Sequence, residues 1–294
     1  MENYILYYYN LKIKNIIKTD SYYYFTTDED IFYFCKTSLE ENELNKLNQK
    51  MITNPRYHTM IKNRFYKFLS IYEEKNYVLL RINTLLSNIV SFDEMLYQDN
   101  IILERQNINW AAVWESKIDY METQMGELGL GKDILNRSFS YYVGLAENAI
   151  SYYNYNQPKS NNIRLCHYRV YYSNLPINYY NPLMLIEDYD VRDYAEYIKS
   201  AFFKGENLLN DIKKLVNNSK YNYNDMVLFY ARLLYPTYYF DLFEDFIAGS
   251  LDEKKVLAII ELAPKYEEFL VDVYYEIKKS YNIPEVLWLL KKSN

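Results

Sequence analysis

The chain has 294 residues, long enough for one large domain or two lobes, and its balance of half apolar and about a quarter charged residues is that of an ordinary globular protein. A net charge of −6 with no basic stripe argues against a nucleic-acid binder, and two histidines make a zinc site a poor expectation. The two cysteines, Cys35 and Cys166, fit reduced core thiols better than a disulfide framework.

No stretch approaches the length of a membrane span; the best apolar run, residues 256–263, is broken by Glu261. The N-terminus carries Glu2 and then tyrosines, without a basic region before an apolar core, so we expect cytoplasmic synthesis rather than secretion. The 37 tyrosines stand out. With abundant Asn, Lys and Ile they fit AT-rich codon usage, and they also fit a protein that builds adhesive surfaces, since tyrosine joins a large apolar ring to a polar tip.

In chain order, residues 4–9, 21–26 and 30–36 read as short strands rich in aromatic and β-branched side chains. A helix follows, opened by the capping-box pattern Ser38-Leu39-Glu40-Glu41 and carrying Leu44, Leu47 and Met51 at helical spacing. Residues 65–72 and 77–82 are two further strands. Near Asn83 the pattern changes. Trp110, Trp114, Ile118, Met121 and Met125 mark one amphipathic helix, and Leu135, Phe139, Tyr142, Val143, Ala146 and Ile150 mark another, with Asp133 at its N-cap. The glycine-containing segment 126–131 between them lacks nucleotide-fingerprint spacing and reads as a loop. Short extended pieces at 163–166 and 183–187 precede helices at 191–204, 207–216, 224–234, 238–247, 253–278 and 284–291. Pro264 is expected to kink or split the long one.

A five-stranded antiparallel sheet with one helix over residues 1–83, followed by a mainly helical part over 84–294, is the two-lobed protein-kinase-like arrangement, an α+β fold. Particular polar residues strengthen that reading. Lys36 ends the third strand, where a kinase lysine meets nucleotide phosphates and a glutamate of the next helix; Glu43 is the natural partner. Within 163–193, the run Leu165-Cys166-His167-Tyr168-Arg169 ends in Tyr171-Tyr172-Ser173-Asn174. Kinases of the aminoglycoside and choline type carry histidine–glycine–aspartate here, with an asparagine five residues after the aspartate. His167 and Asn174 keep that spacing, but Arg169 stands at the aspartate position. Asp188 occupies the place of the metal-binding aspartate, Asp190 reads as an N-cap, and Asp193 matches the aspartate that opens the next helix.

Within that superfamily, the chain resembles the bacterial spore-coat proteins with a kinase-like fold, the CotS and YutH group. The segments that carry the resemblance to the YutH-like branch lie at 110–120, 181–186, 191–199 and 231–241. It implies a protein made in the mother-cell cytoplasm, incorporated into the spore coat and partnered by other coat proteins. Arginine stays protonated and cannot accept a substrate proton, so Arg169 implies a degenerate site, with His167 architectural and no cofactor required. The expectation is a structural pseudokinase. The alternatives are an active small-molecule kinase, with Lys36 and Glu43 serving ATP and Asn174 and Asp188 serving magnesium, or an ATP-sensing module. Neither substrate nor oligomeric state follows from these residues.

Overall fold

The computed structural model describes the chain except residues 20–21, 52–53, 84–87, 98–102, 104–107, 129–132, 251 and 293–294. Its elements begin with α1 (Glu2–Tyr9), β1 (Asn15–Lys18), β2 (Tyr22–Thr26), β3 (Ile31–Lys36), α2 (Glu41–Met51), β4 (Thr59–Ile61), β5 (Leu69–Tyr72) and β6 (Lys75–Arg81). Next come α3 (Phe92–Leu96), α4 (Trp110–Leu128), α5 (Asp133–Asn156), β7 (Ile163–His167), α6 (Pro176–Tyr179), β8 (Leu185–Tyr189) and α7 (Val191–Phe202). Then follow α8 (Leu209–Val216), α9 (Tyr223–Leu234), α10 (Thr237–Ile247), α11 (Glu253–Glu261), α12 (Ala263–Lys278) and α13 (Leu287–Lys292). They form two compact units: Met1–Val90 with Ser173–Leu185, and Ser91–Tyr172 with Ile186–Asn294.

The first unit is built on an antiparallel sheet of order β1-β2-β3-β6-β4, with β5 also pairing β6. Strand alternation puts Tyr23, Phe25, Phe32, Phe34, Tyr77 and Leu79 into one core cluster, and Ile5 of α1 completes it. Residues 4–9 therefore form a helix and not the expected strand. Their composition suits either state, and as a helix the segment buries Ile5 completely. Tyr4 then donates to the Ile71 carbonyl at 2.7 Å, and the Tyr9 hydroxyl meets Ser70 Oγ at 2.7 Å.

The sheet has six strands where five were expected, because the short β1 and β4 carry too little periodicity to read. The expected strand 65–72 begins only at Leu69. Asn63 accepts the Phe65 and Lys67 amides at 2.9 and 3.2 Å, and Tyr66 adopts φ 60°, so the chain turns there first. Ser173–Leu185 is held in this unit by His58, whose N–H donates to the Tyr180 carbonyl at 3.0 Å and whose Nε2 donates to the Ile177 carbonyl at 2.8 Å. Ser21 and residue 84, ends of expected segments, lie outside the described residues.

The second unit is mainly helical, with β7 and β8 paired. On α4, Trp110, Trp114, Ile118 and Met121 form the buried stripe, and α5 packs against both α4 and α9. Helix α7 packs on α9 and is buried on nearly every side, including Arg192, Asp193, Glu196 and Lys199. The long helix expected at 253–278 is split near Pro264 into α11 and α12. Gly126 to Leu128 lie within α4 rather than in a loop; residues 129–131 lie outside the described residues. Cys35 and Cys166 are buried free thiols.

Candidate functional site

The candidate site grows from the connection between β7 and the buried helix α7. His167 ends β7 with 2 % exposure. Its backbone N–H donates to both Asp193 carboxylate oxygens at 3.0 and 3.1 Å, and its Nδ1 meets Asp193 Oδ2 at 2.6 Å. Asp193 thereby anchors the loop that starts at His167 and also engages the imidazole. Asp190 makes no side-chain cap on α7, correcting its expected role. Burial removes it from water, and it is paired by Arg164 at 3.2 Å, Lys220 at 2.7 Å and the Tyr221 hydroxyl at 2.7 Å.

Asp188 is 5 % exposed and both its oxygens are engaged. Oδ1 accepts from Trp110 Nε1 at 2.7 Å and from the Tyr189 amide at 2.8 Å; Oδ2 accepts from Arg192 Nη1 at 2.6 Å. Arg192 lies one helical turn after Asp188 and also donates to the His167 and Tyr168 carbonyls, at 3.3 and 3.2 Å. One guanidinium thus ties the acid to the backbone of the 167–169 loop.

Arg169 does not reach Asp188. Its Nε and Nη2 grip Asp241 of α10 at 2.7 and 2.6 Å, a two-point ion pair, and its Nη1 donates to the Tyr168 carbonyl. Against the cost of burial, the Asp241 bonds hold the Arg169 guanidinium above its ordinary range. Asp241 was missed as a partner; only its place in the last of the resemblance segments hinted at it.

A second buried network was also missed. Glu196 Oε1 accepts from Lys199 at 2.9 Å, Arg232 Nε at 2.6 Å and Thr237 at 3.1 Å. Lys199 also donates to the Arg232 and Tyr235 carbonyls and to Thr237. Burial pushes the Lys199 ammonium down to about 8, with Glu196 opposing the shift. The signal available in the sequence was the charged face of an otherwise apolar helix, with Glu196 and Lys199 one turn apart.

In the first unit, Lys36 is exposed at the end of β3, opposite Tyr77. Glu43 is exposed too, and its Oε2 accepts the Glu40 amide at 2.7 Å. The ion pairs found among the described residues do not join Lys36 to Glu43. The acid that turns toward the sheet is Glu41, which accepts the Phe68 and Leu69 amides at 3.0 and 2.8 Å. Capping and anchoring roles are thus exchanged between two acids two residues apart. Asn174 belongs to this unit, where its carbonyl accepts the Val90 amide at 3.0 Å. Among the described residues, no three His, Cys, Asp or Glu side chains gather as a metal-binding cluster, and no helix is long and apolar enough to cross a membrane.

Two solved structures share this fold at TM-score 0.57. One is an aminoglycoside phosphotransferase from Alicyclobacillus acidocaldarius, 8 % identical, covering 91 % of this chain and 93 % of that one. The other is a spectinomycin phosphotransferase solved with ADP and spectinomycin, 9 % identical, covering 95 % and 92 %. The two-lobed kinase-like α+β fold expected from the sequence is therefore the fold of this chain. The endospore coat-associated protein YutH of Bacillus subtilis (strain 168) is 27 % identical over 221 residues, which are 63 % of this chain and 62 % of that protein, under two thirds of its length. The model of the family described as "Spore coat putative kinase YutH" matches residues 2–273, and the chain belongs to that family.

Proposed function

We propose that this chain is a coat-associated structural protein of endospores that keeps a kinase-like fold and transfers no phosphate. It would be made in the mother cell and then join other coat proteins. The observation that carries the reading is the occupation of Asp188. Asp188 Oδ1 is filled by Trp110 and Tyr189, and Oδ2, where a lone pair remains, is held by the Arg192 guanidinium, whose charge repels a cation. The residues present therefore do not fit a catalytic metal at this acid. The position two residues after His167 adds to this, since Arg169 brings a fixed positive charge and no proton acceptor. Exposed tyrosines such as Tyr66, Tyr97 and Tyr155 offer amphipathic contact surfaces for an assembly role.

Purified chain incubated with ATP and magnesium should neither hydrolyse ATP nor phosphorylate aminoglycosides, choline or serine-like acceptors. Wild-type turnover abolished by Asp188→Ala would overturn the pseudokinase reading. A fluorescent fusion in a sporulating host should ring the forespore, and a diffuse mother-cell signal through late sporulation would remove the coat role.

A further inference from the structure

The helical unit contains a pocket of about 350 Å³ between α4, α7, α9, α10 and the loop after β7. Its wall is mostly aromatic and apolar, and four cations are set into it. Lys117, Arg169, Arg192 and Arg232 line it, and the one carboxylate among the lining residues, Asp241, is gripped at both oxygens by Arg169. The acids that partner the other three cations, Glu244, Asp188 and Glu196, are not among the lining residues. The pocket therefore meets cations in front and their counter-charges behind.

Two further observations point to an occupant. Trp114 Nε1–H and the Tyr235 hydroxyl are buried polar groups without a hydrogen-bond partner, and their rings stack at 4.5 Å. Both residues line the pocket and are 1 % and 3 % exposed. A buried donor left unpaired is costly, and a small shift of either ring would let an acceptor in the pocket meet it. Arg232 is 4 % exposed and its guanidinium lies over the Trp110 and Trp114 rings at 5.4 and 5.8 Å, yet only its Nε is hydrogen-bonded to the described residues. Burial, and next the charge of Arg192, hold the Arg232 guanidinium below its ordinary range. Two guanidiniums that repel each other in the lining of one pocket are stabilised by an anion placed beside both.

We infer that this pocket binds a small organic anion, a carboxylate or phosphate monoester on a flat or apolar body. The oxyanion accepts from Arg232, Arg192 and Lys117, and the body lies against the exposed lining side chains of Val113, Tyr120 and Tyr168. Arginine forks match carboxylate and phosphate oxygens geometrically, and the volume is that of a small-metabolite site. The inference rests on the wall of the helical unit alone and holds whether or not the chain transfers phosphate.

The test is calorimetric titration of the full chain, at constant ionic strength, with phenyl phosphate, benzoate, inorganic phosphate and spermidine. Saturable binding of phenyl phosphate or benzoate, tighter than inorganic phosphate, is expected; the tighter of the two identifies the head group. Trp114→Phe removes the indole donor and Lys117→Gln one cation without touching the Glu196 network, and each should weaken binding about tenfold, the loss of one charge-assisted hydrogen bond. Thermal melting of each variant checks that it is folded, and a variant that has not folded is replaced by Lys117→Arg, which should retain binding. Absence of saturable binding, equal affinity in wild type and both folded variants, or tighter binding of spermidine than of any anion would each overturn the assignment.

Discussion

Arg169 closes on Asp241, 72 residues further along the chain, through two hydrogen bonds of 2.7 and 2.6 Å. The pair pins the loop after β7 to α10 within the helical unit. Its side chains are 21 % and 27 % exposed, so the attraction is only partly screened by water.

Arg169→Asp should not create a phosphotransferase. It sets a second carboxylate beside Asp241 and should cost about 1–3 kcal/mol in urea unfolding, between the values for exposed and buried pairs. Asp241→Asn should cost less, because a neutral acceptor remains. A double-mutant cycle on Arg169→Ala and Asp241→Ala should reveal clear coupling; strictly additive losses would mean the pair contributes nothing to holding the loop.

Glu41 and Glu43 should separate in a direction opposite to the kinase expectation. Glu41→Ala strands the Phe68 and Leu69 amides and should cost about 1–3 kcal/mol. Glu43→Ala removes one bond at the helix start and should cost about 0.5–1 kcal/mol. If Glu43→Ala proves the more damaging in chemical denaturation, the exchange of roles is wrong.

His58 should make the fold acid-sensitive near neutrality. Its Nδ1 accepts the Asn83 amide at 3.4 Å while its Nε2 faces the Ile177 carbonyl, an arrangement for neutral imidazole. Burial, partly opposed by the Ile177 bond, lowers its pKa below the ordinary 6.5. Between that lower folded value and 6.5 the unfolded chain holds more protons, so stability falls as pH falls through this window. Unfolding midpoints measured from about pH 7 down to about pH 5 should decline for wild type, and the decline should be shallower in His58→Gln. A wild-type midpoint that rises on acidification would contradict this sign.

The buried tyrosines should make the fold labile to alkali. Burial raises Tyr4 and Tyr239 from 10.0 to about 12 and moves Tyr142, Tyr152, Tyr230 and Tyr266 upward as well. Above the unfolded value of 10.0 the unfolded chain releases protons that the folded chain retains, so stability is lost as pH rises from there. After a gradual rise from exposed tyrosines such as Tyr66 and Tyr155, the remaining tyrosinate absorbance should appear in one cooperative step together with the loss of circular dichroism. Gradual titration of all the tyrosines with the fold intact would show that the buried hydroxyls reach solvent.

The sequence by itself determined what depends on neighbours along the chain. Alternation and helical spacing located β2, β3, β6, α2 and the helices from α4 onward except the short α6, because a face that must be buried repeats every two or 3.6 residues. His167, Asp188 and Asp193 stand on β7, β8 and α7, which follow one another closely in the chain, whereas Asn174, grouped with them by spacing, falls in the first unit. Tertiary structure alone decided the rest. It placed residues 4–9 as a helix over the sheet, where Ile5 gains more from the core than the segment's strand preference is worth. It drew Ser173–Leu185 into the first unit through His58, more than a hundred residues upstream. And it chose Asp241 for Arg169 and Arg192 for Asp188, because ion pairing is selected by distance and desolvation in three dimensions, for which one-dimensional spacing carries no record.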